Sequence, residues 1–267
     1  MLKDITLGQF FPGNTVVHRL DPRSKLLLVV VYIVALFMAE SFISYGVMLI
    51  TLISVVILSR IKVKVILKSM KPLLLIMILT AVLNLFYTQG TVLVKFWIFT
   101  ITKEGIFSAF FMVLRISMLI CGTFMLTYTT SPIALTDGLE RLLNPLKKIR
   151  VPVHELSMMM CIALRFVPTL IEETDKIMSA QKARGADFES GNLLSRAKAL
   201  IPILVPLFIS SFRRADELAV AMECRCYHGG DGRTRMKQLK YALQDVLALL
   251  FGAIVLAGVI VLGYFGL

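Results

Sequence analysis

The chain has 267 residues, 57% of them hydrophobic, and a formal net charge of +12. A soluble domain of this length runs nearer ~45–50% apolar, so the composition points first to a membrane protein. The charge does not signal nucleic acid. Of 29 Lys and Arg residues only Lys95, Lys103 and Arg115 lie between Pro72 and Glu140; the rest flank apolar runs or crowd between Arg141 and Lys240. That asymmetry is what the positive-inside rule produces, and no basic face interleaved with aromatics accompanies it.

The first apolar run begins at Leu26, behind a polar stretch holding Asp4, His18, Arg19, Asp21 and Lys25. No cleavage site of the A-x-A kind follows it, so no cleavable signal peptide is expected. Residues 26–39 and 42–58 read as two short spans joined by a tight outer turn at Glu40-Ser41. Arg60, Lys62, Lys64, Lys68 and Lys71 follow, and the spacing predicts an amphipathic helix at the headgroups. Residues 72–88 form the third expected span. The β-rich stretch "QGTVLVKFWIFTITKEG", with the only tryptophan, Trp97, reads as an outer loop or short hairpin at the interface.

Residues 106–130 form the fourth span, with Arg115 about halfway along. A charge there faces protein or water, as an intramembrane ion partner or as a snorkelling side chain. Ser131-Pro132 then marks a helix start. Leu135, Leu139, Leu142, Leu143 and Leu146 recur at helical spacing until Pro145 bends or ends the pattern. From Val153 to Tyr227 helical periodicity continues, interrupted by Pro168, Pro202 and Pro206, where breaks are expected. Residues 241–267 close the chain as a fifth span.

The expected fold is therefore all-α: a polytopic membrane protein of about five spans, with a cytoplasmic helical domain inserted before the last. The divisions fall at residues 1–130, 131–240 and 241–267. Positive loops on the inside put the N-terminus in the cytoplasm and the C-terminus outside. The 131–240 region carries seventeen basic and twelve acidic residues.

The four cysteines, Cys121, Cys161, Cys224 and Cys226, lack a disulfide-framework spacing and are expected as free thiols. Cys224-x-Cys226-x-His228 lacks a fourth ligand nearby, so no metal site is expected.

One pattern occurs twice. Ala183-Arg184-Gly185 and Cys224-Arg225-Cys226 each place an arginine between small residues at the expected end of a helix. Aligned on these arginines, Asp175 matches Asp216, Ile177 matches Leu218, and Ala180 matches Ala221. Each helix thus offers a stripe, Ile177/Ala180/Arg184 or Leu218/Ala221/Arg225, ending in a cation that can hold a carboxylate with its planar fork. Gly185 and Gly229-Gly230 are the expected chain exits. Two equivalent docking points suit a partner of two-fold or pseudo-two-fold symmetry.

With these motifs, the sequence resembles the transmembrane T component of energy-coupling-factor transporters, ABC-type importers of vitamins and some metal ions. The resemblance covers nearly the whole chain. It rests on "HRLDPRSKLLL", "TTSPIALTDGLERLLNPLKKIRVPVHELSMMM", "LRFVPTLIEETDKIMSAQKARGADF" and "AVAMECRCYHGGDGRTR". The second triplet departs from the family's Ala-Arg-Gly, which leaves its helix ending open.

The resemblance implies a scaffold in a prokaryotic cell membrane that does no chemistry and binds no cofactor itself. Its Arg184 and Arg225 would dock into two ATPase subunits, a homo- or heterodimer that binds ATP and Mg. Its membrane helices would hold an S component that binds the vitamin. "GLERLLNPLKKIRVPVHEL" looks like the kind shared among several S components; a dedicated cobalt, nickel or biotin transporter is the alternative. Met158, Met159, Met160, Ile201, Leu204 and Phe208 are candidate S-component contacts, because methionine-rich surfaces re-pack easily. Packing inside the helical domain, or against lipid, explains the same residues.

The residues themselves agree with a non-catalytic role. No Gly-x-x-x-x-Gly-Lys-Ser/Thr loop is present. His18, His154 and His228 all fall outside the expected spans, so an intramembrane hydrolase lacks its constellation. A self-sufficient carrier would need Arg184 and Arg225 at the midplane rather than at the ends of charged helices.

Overall fold

A computed structural model describes residues 10–39, 41–88, 90–96, 99–186, 188, 192–230 and 238–265. Among them lie ten α-helices: α1 (Val16–Arg19), α2 (Pro22–Met38), α3 (Phe42–Ser59), α4 (Val63–Met70), α5 (Leu74–Tyr87), α6 (Lys103–Thr129), α7 (Pro132–Leu143), α8 (Val153–Ala183), α9 (Leu193–Glu223) and α10 (Leu243–Tyr264). A single antiparallel hairpin, β1 (Val92–Phe96) and β2 (Phe99–Thr102), joins α5 to α6. The β-rich stretch is thus a hairpin; Trp97 and Glu40 lie outside the described residues.

The protein is an all-α polytopic membrane protein. Among the described residues five helical runs are long and apolar enough to cross a membrane: Phe42–Ser59, Val63–Tyr87, Lys103–Thr129, Val153–Ala183 and Leu243–Tyr264. The Val63–Tyr87 run joins the basic amphipathic segment to the third expected span through a 3-10 turn at Lys71–Leu73. The stretch expected as the first span forms α2, seventeen residues long. The expected start at Ser131 is present, its Oγ accepting the Ala134 N–H at 3.3 Å. At the other end of α7 the chain tightens into a 3-10 run, Asn144–Ile149, which contains Pro145.

The chain divides into two compact units, one comprising Leu139–Gln238 and the other running to Gly138 and resuming at Leu239. In the second unit Leu36 of α2, Met48 of α3, Met118 of α6 and Val259 of α10 form the core. Lipid tails are as apolar as leucine, so such packing depends on small residues and internal hydrogen bonds rather than on burial from water. Ser24 and Ser44 are fully buried here. At Gly122 any Cβ would lie 2.5 Å from the Tyr32 ring. The missing side chain lets α2 and α6 close until Tyr32 Oη donates to the Met118 carbonyl at 3.3 Å.

A polar fastener ties the start of α2 to the start of α10. Asp21 caps α2 by accepting the Arg23 N–H at 2.9 Å, and its other oxygen accepts Arg23 Nη2 at 2.9 Å. These bonds raise the Arg23 pKa above its ordinary value. Arg23 also lies 4.0 Å over the Tyr241 ring. Buried Asp245 accepts the Asp21 N–H at 2.7 Å and the Ala242 N–H at 2.8 Å. Lys25 Nζ donates to the carbonyls of His18 and Thr129 and to Thr130 Oγ1, at 2.9–3.2 Å. The "HRLDPRSK" motif thus secures the corner where α6 ends.

Arg115 is satisfied by protein. Its Nε donates to Tyr45 Oη at 2.7 Å and its Nη2 to the Ala39 carbonyl at 3.0 Å, pinning the end of α2 to α3.

Candidate functional site

The two arginine triplets end α8 and α9, helices of 31 residues each, or ~46 Å at 1.5 Å per residue. Both pass through their prolines without a break: Pro168 lies inside α8, and Pro202 and Pro206 inside α9. This corrects the expected interruptions. Each proline removes one N–H bond, but the neighbouring turns keep theirs and the helix continues on either side.

At the end of α8, Gly185 takes a left-handed φ of +86°. Its N–H bonds the Lys182 carbonyl at 3.0 Å, and the Ala186 N–H bonds Gln181 at 3.0 Å. This paired closure is a Schellman motif with Arg184 as the last residue before the turn. The end of α9 repeats it. Cys226 takes φ +54°, its N–H bonds Glu223 at 2.9 Å, and the Tyr227 N–H bonds Met222 at 3.1 Å. The expected exit at Gly229-Gly230 therefore comes three residues earlier, at Cys226. A non-glycine residue there costs about 1–2 kcal/mol, offset by two capping bonds to otherwise orphaned carbonyls.

The stripes also match. Ile177 and Leu218 are half-buried, whereas Ala180 and Ala221 are exposed. Arg184, Arg225 and their neighbours Ala183, Gly185, Cys224 and Cys226 are all exposed. Neither guanidinium makes an ion pair or a side-chain hydrogen bond among the described residues.

Sequence reading missed where the helices meet. Glu173 Oε2 accepts Arg214 Nη2 at 2.8 Å, and Ser210 Oγ donates to Glu173 Oε1. Glu173 lies eleven residues before Arg184, and Arg214 eleven before Arg225. The two helices thus meet at equivalent positions of the repeat. From that contact both arms run about 16 Å to their arginines. The alignment holds opposite charges at one shared offset, but Glu172 and Arg213 stand beside them and leave the pairing open.

Elsewhere in this unit, His154 Nδ1 lies 3.0 Å from Glu140 Oε1. A Cβ on Gly230 would lie 2.3 Å from the His154 ring, so only glycine fits there. Residues from "GLER", "VHEL" and "YHGG" thus converge.

Of the other candidates, Met159, Met160, Ile201, Leu204 and Phe208 are 38–63% exposed, and Met158 is half-buried. They are part of a wider surface. Leu200, Val205, Ile209 and Phe212 continue the exposed face of α9, opposite the buried Ile203. Helical periodicity carried that signal too.

A family model described as CbiQ, cobalt transport protein, matches residues 13–236. A protein of Clostridium kluyveri is 58% identical over 251 residues, covering 93% of each chain. Relatives from Thermosediminibacter oceani and Bacillus subtilis are 54% and 45% identical, over 96% and 97% of this chain and 97% and 98% of their own. All three are described as the energy-coupling factor transporter transmembrane protein EcfT. With likeness of this depth from end to end, the chain belongs to the EcfT family, the transmembrane T components of energy-coupling-factor transporters.

Proposed function

We propose that this chain is the scaffold that couples ATP hydrolysis in two cytoplasmic ATPase subunits to uptake through a vitamin-binding S component. Arg184 and Arg225 dock into one ATPase each, with the stripes Ile177/Ala180 and Leu218/Ala221 lying along the contact. ATP and Mg are held by those partners. The S component rests against the methionine cluster and the exposed face of α9. The N-terminus lies in the cytoplasm and the C-terminus outside.

The observation that carries this reading is the pair of equal arms: one shared ion pair, two matching helix ends, and two exposed arginines without side-chain partners among the described residues. Arginine is suited to an incoming carboxylate or carbonyl cluster because its fork is preorganised. Equal arms suit two like subunits.

Shared use by several S components is the reading that the "GLERLLNPLKKIRVPVHEL" stretch supports. The description of the matching family model favours a second reading, a transporter dedicated to cobalt.

The test is an affinity pull-down of the tagged chain from its native membrane, beside the double variant R184A/R225A. Two ATPases with the wild type and none with the variant are expected. Equal recovery from both would overturn the docking role. The number of different S components recovered separates shared from dedicated use.

A further inference from the structure

At the end of α3, outside the docking helices, the membrane unit contains a cavity of about 1020 Å³. That is at the top of the ~300–1,000 Å³ range of ligand-sized pockets. One wall is the 11–18 segment, and it is held firmly. The Phe11 N–H bonds the Tyr128 carbonyl at 3.0 Å, and its ring packs edge-on against Tyr128 at 5.5 Å. His18 braces the same segment, donating from Nε2 to the Phe11 carbonyl at 3.0 Å and meeting Thr15 Oγ1 at 2.7 Å. The opposite wall is the end of α3 and the turn into α4.

The chemistry of the lining divides in two. Val16, Ile57 and Ile61 supply apolar surface, whereas Asn14, Arg60 and Lys62 supply polar and cationic groups. Arg60 is fixed as the left-handed cap of α3, with φ 55° and its N–H on the Ile57 carbonyl at 3.1 Å. Lys64, Lys68 and Lys71 extend the charge along α4, while not one Asp or Glu occurs from Ser41 to Lys103. None of these five cations has an ion pair or side-chain hydrogen bond among the described residues. An apolar-walled cavity at the end of a spanning helix, rimmed by unneutralised cations, calls for an anionic amphiphile.

We propose that this cavity is a binding site for an anionic phospholipid, its phosphate held by Arg60 and Lys62 and its chains lying against Val16, Ile57 and Ile61. A cation near a membrane surface attracts an anionic lipid by enough that losing two weakens retention roughly thirtyfold. A zwitterionic lipid gains little from the same cations.

The test is native mass spectrometry of the detergent-purified full chain with equal amounts of dioleoyl phosphatidylglycerol and dioleoyl phosphatidylcholine. The wild type should retain one phosphatidylglycerol in preference to phosphatidylcholine. R60S/K62S should lose that preference by roughly thirtyfold, and K148S, a change in the other unit, should keep it. Equal retention of the two lipids by the wild type overturns the proposal, and that comparison needs no variant to fold. Equal loss in K148S also overturns it. Displacement of phosphatidylglycerol by inorganic phosphate at matching concentration would reassign the site to a soluble anion.

Discussion

The arm from Glu173 to Arg184 and the arm from Arg214 to Arg225 have the same length and close with the same hydrogen bonds, yet one turns on glycine and the other on cysteine. The arginine is thus placed by residue count from the crossing and by a left-handed residue after it, not by the letters beside it. Gly185 adopts its φ at no steric cost, whereas Cys226 adopts its φ against one. The α9 end is the more strained copy of one design.

The largest effects are expected at the arginines. R184A alone and R225A alone should each weaken ATPase recovery by about 2–5 kcal/mol, roughly thirtyfold or more, and by similar factors. A difference of more than about tenfold between the two, measured by titrated pull-down, would mean that the arms are not equivalent. A smaller effect is expected at the crossing. R214A removes the cation from Glu173, and because both side chains are partly exposed the cost is about 1–2 kcal/mol, seen as a lower Tm in detergent. An unchanged Tm would show that the ion pair does not hold the arms together.

The smallest effects should have opposite signs. C226G should raise stability by about 1 kcal/mol by relieving the left-handed cysteine, and G185A should lower it by about as much. Two changes of the same sign, in thermal melts of the full chain, would contradict the Schellman assignment at one end.

Most of the fold was legible because apolar runs of spanning length leave few alternatives for the backbone. The helix start at Ser131, the hairpin before α6 and the paired arginines followed from local chemistry. The prolines of α8 and α9 misled because propensity is a local penalty, while a 31-residue helix is a collective state. The crossing was hidden for a different reason. Glu173 adjoins Glu172 and Arg214 adjoins Arg213, and residue type alone does not say which of each pair turns inward. For Arg115 the sequence left an ion partner and a snorkelling side chain open, and its partner Tyr45 lies seventy residues away in sequence.

The fastener between Asp21 and Asp245 has a consequence in time. The two residues are 224 apart in sequence, and the same unit needs both α2 and α10. Synthesis at ~5–20 residues per second separates them by roughly 10–45 seconds. Throughout that interval α2 lacks its final neighbour, while the whole of Leu139–Gln238 is made. The helices that carry the two arginines are therefore synthesised before the unit that frames them in the chain can close.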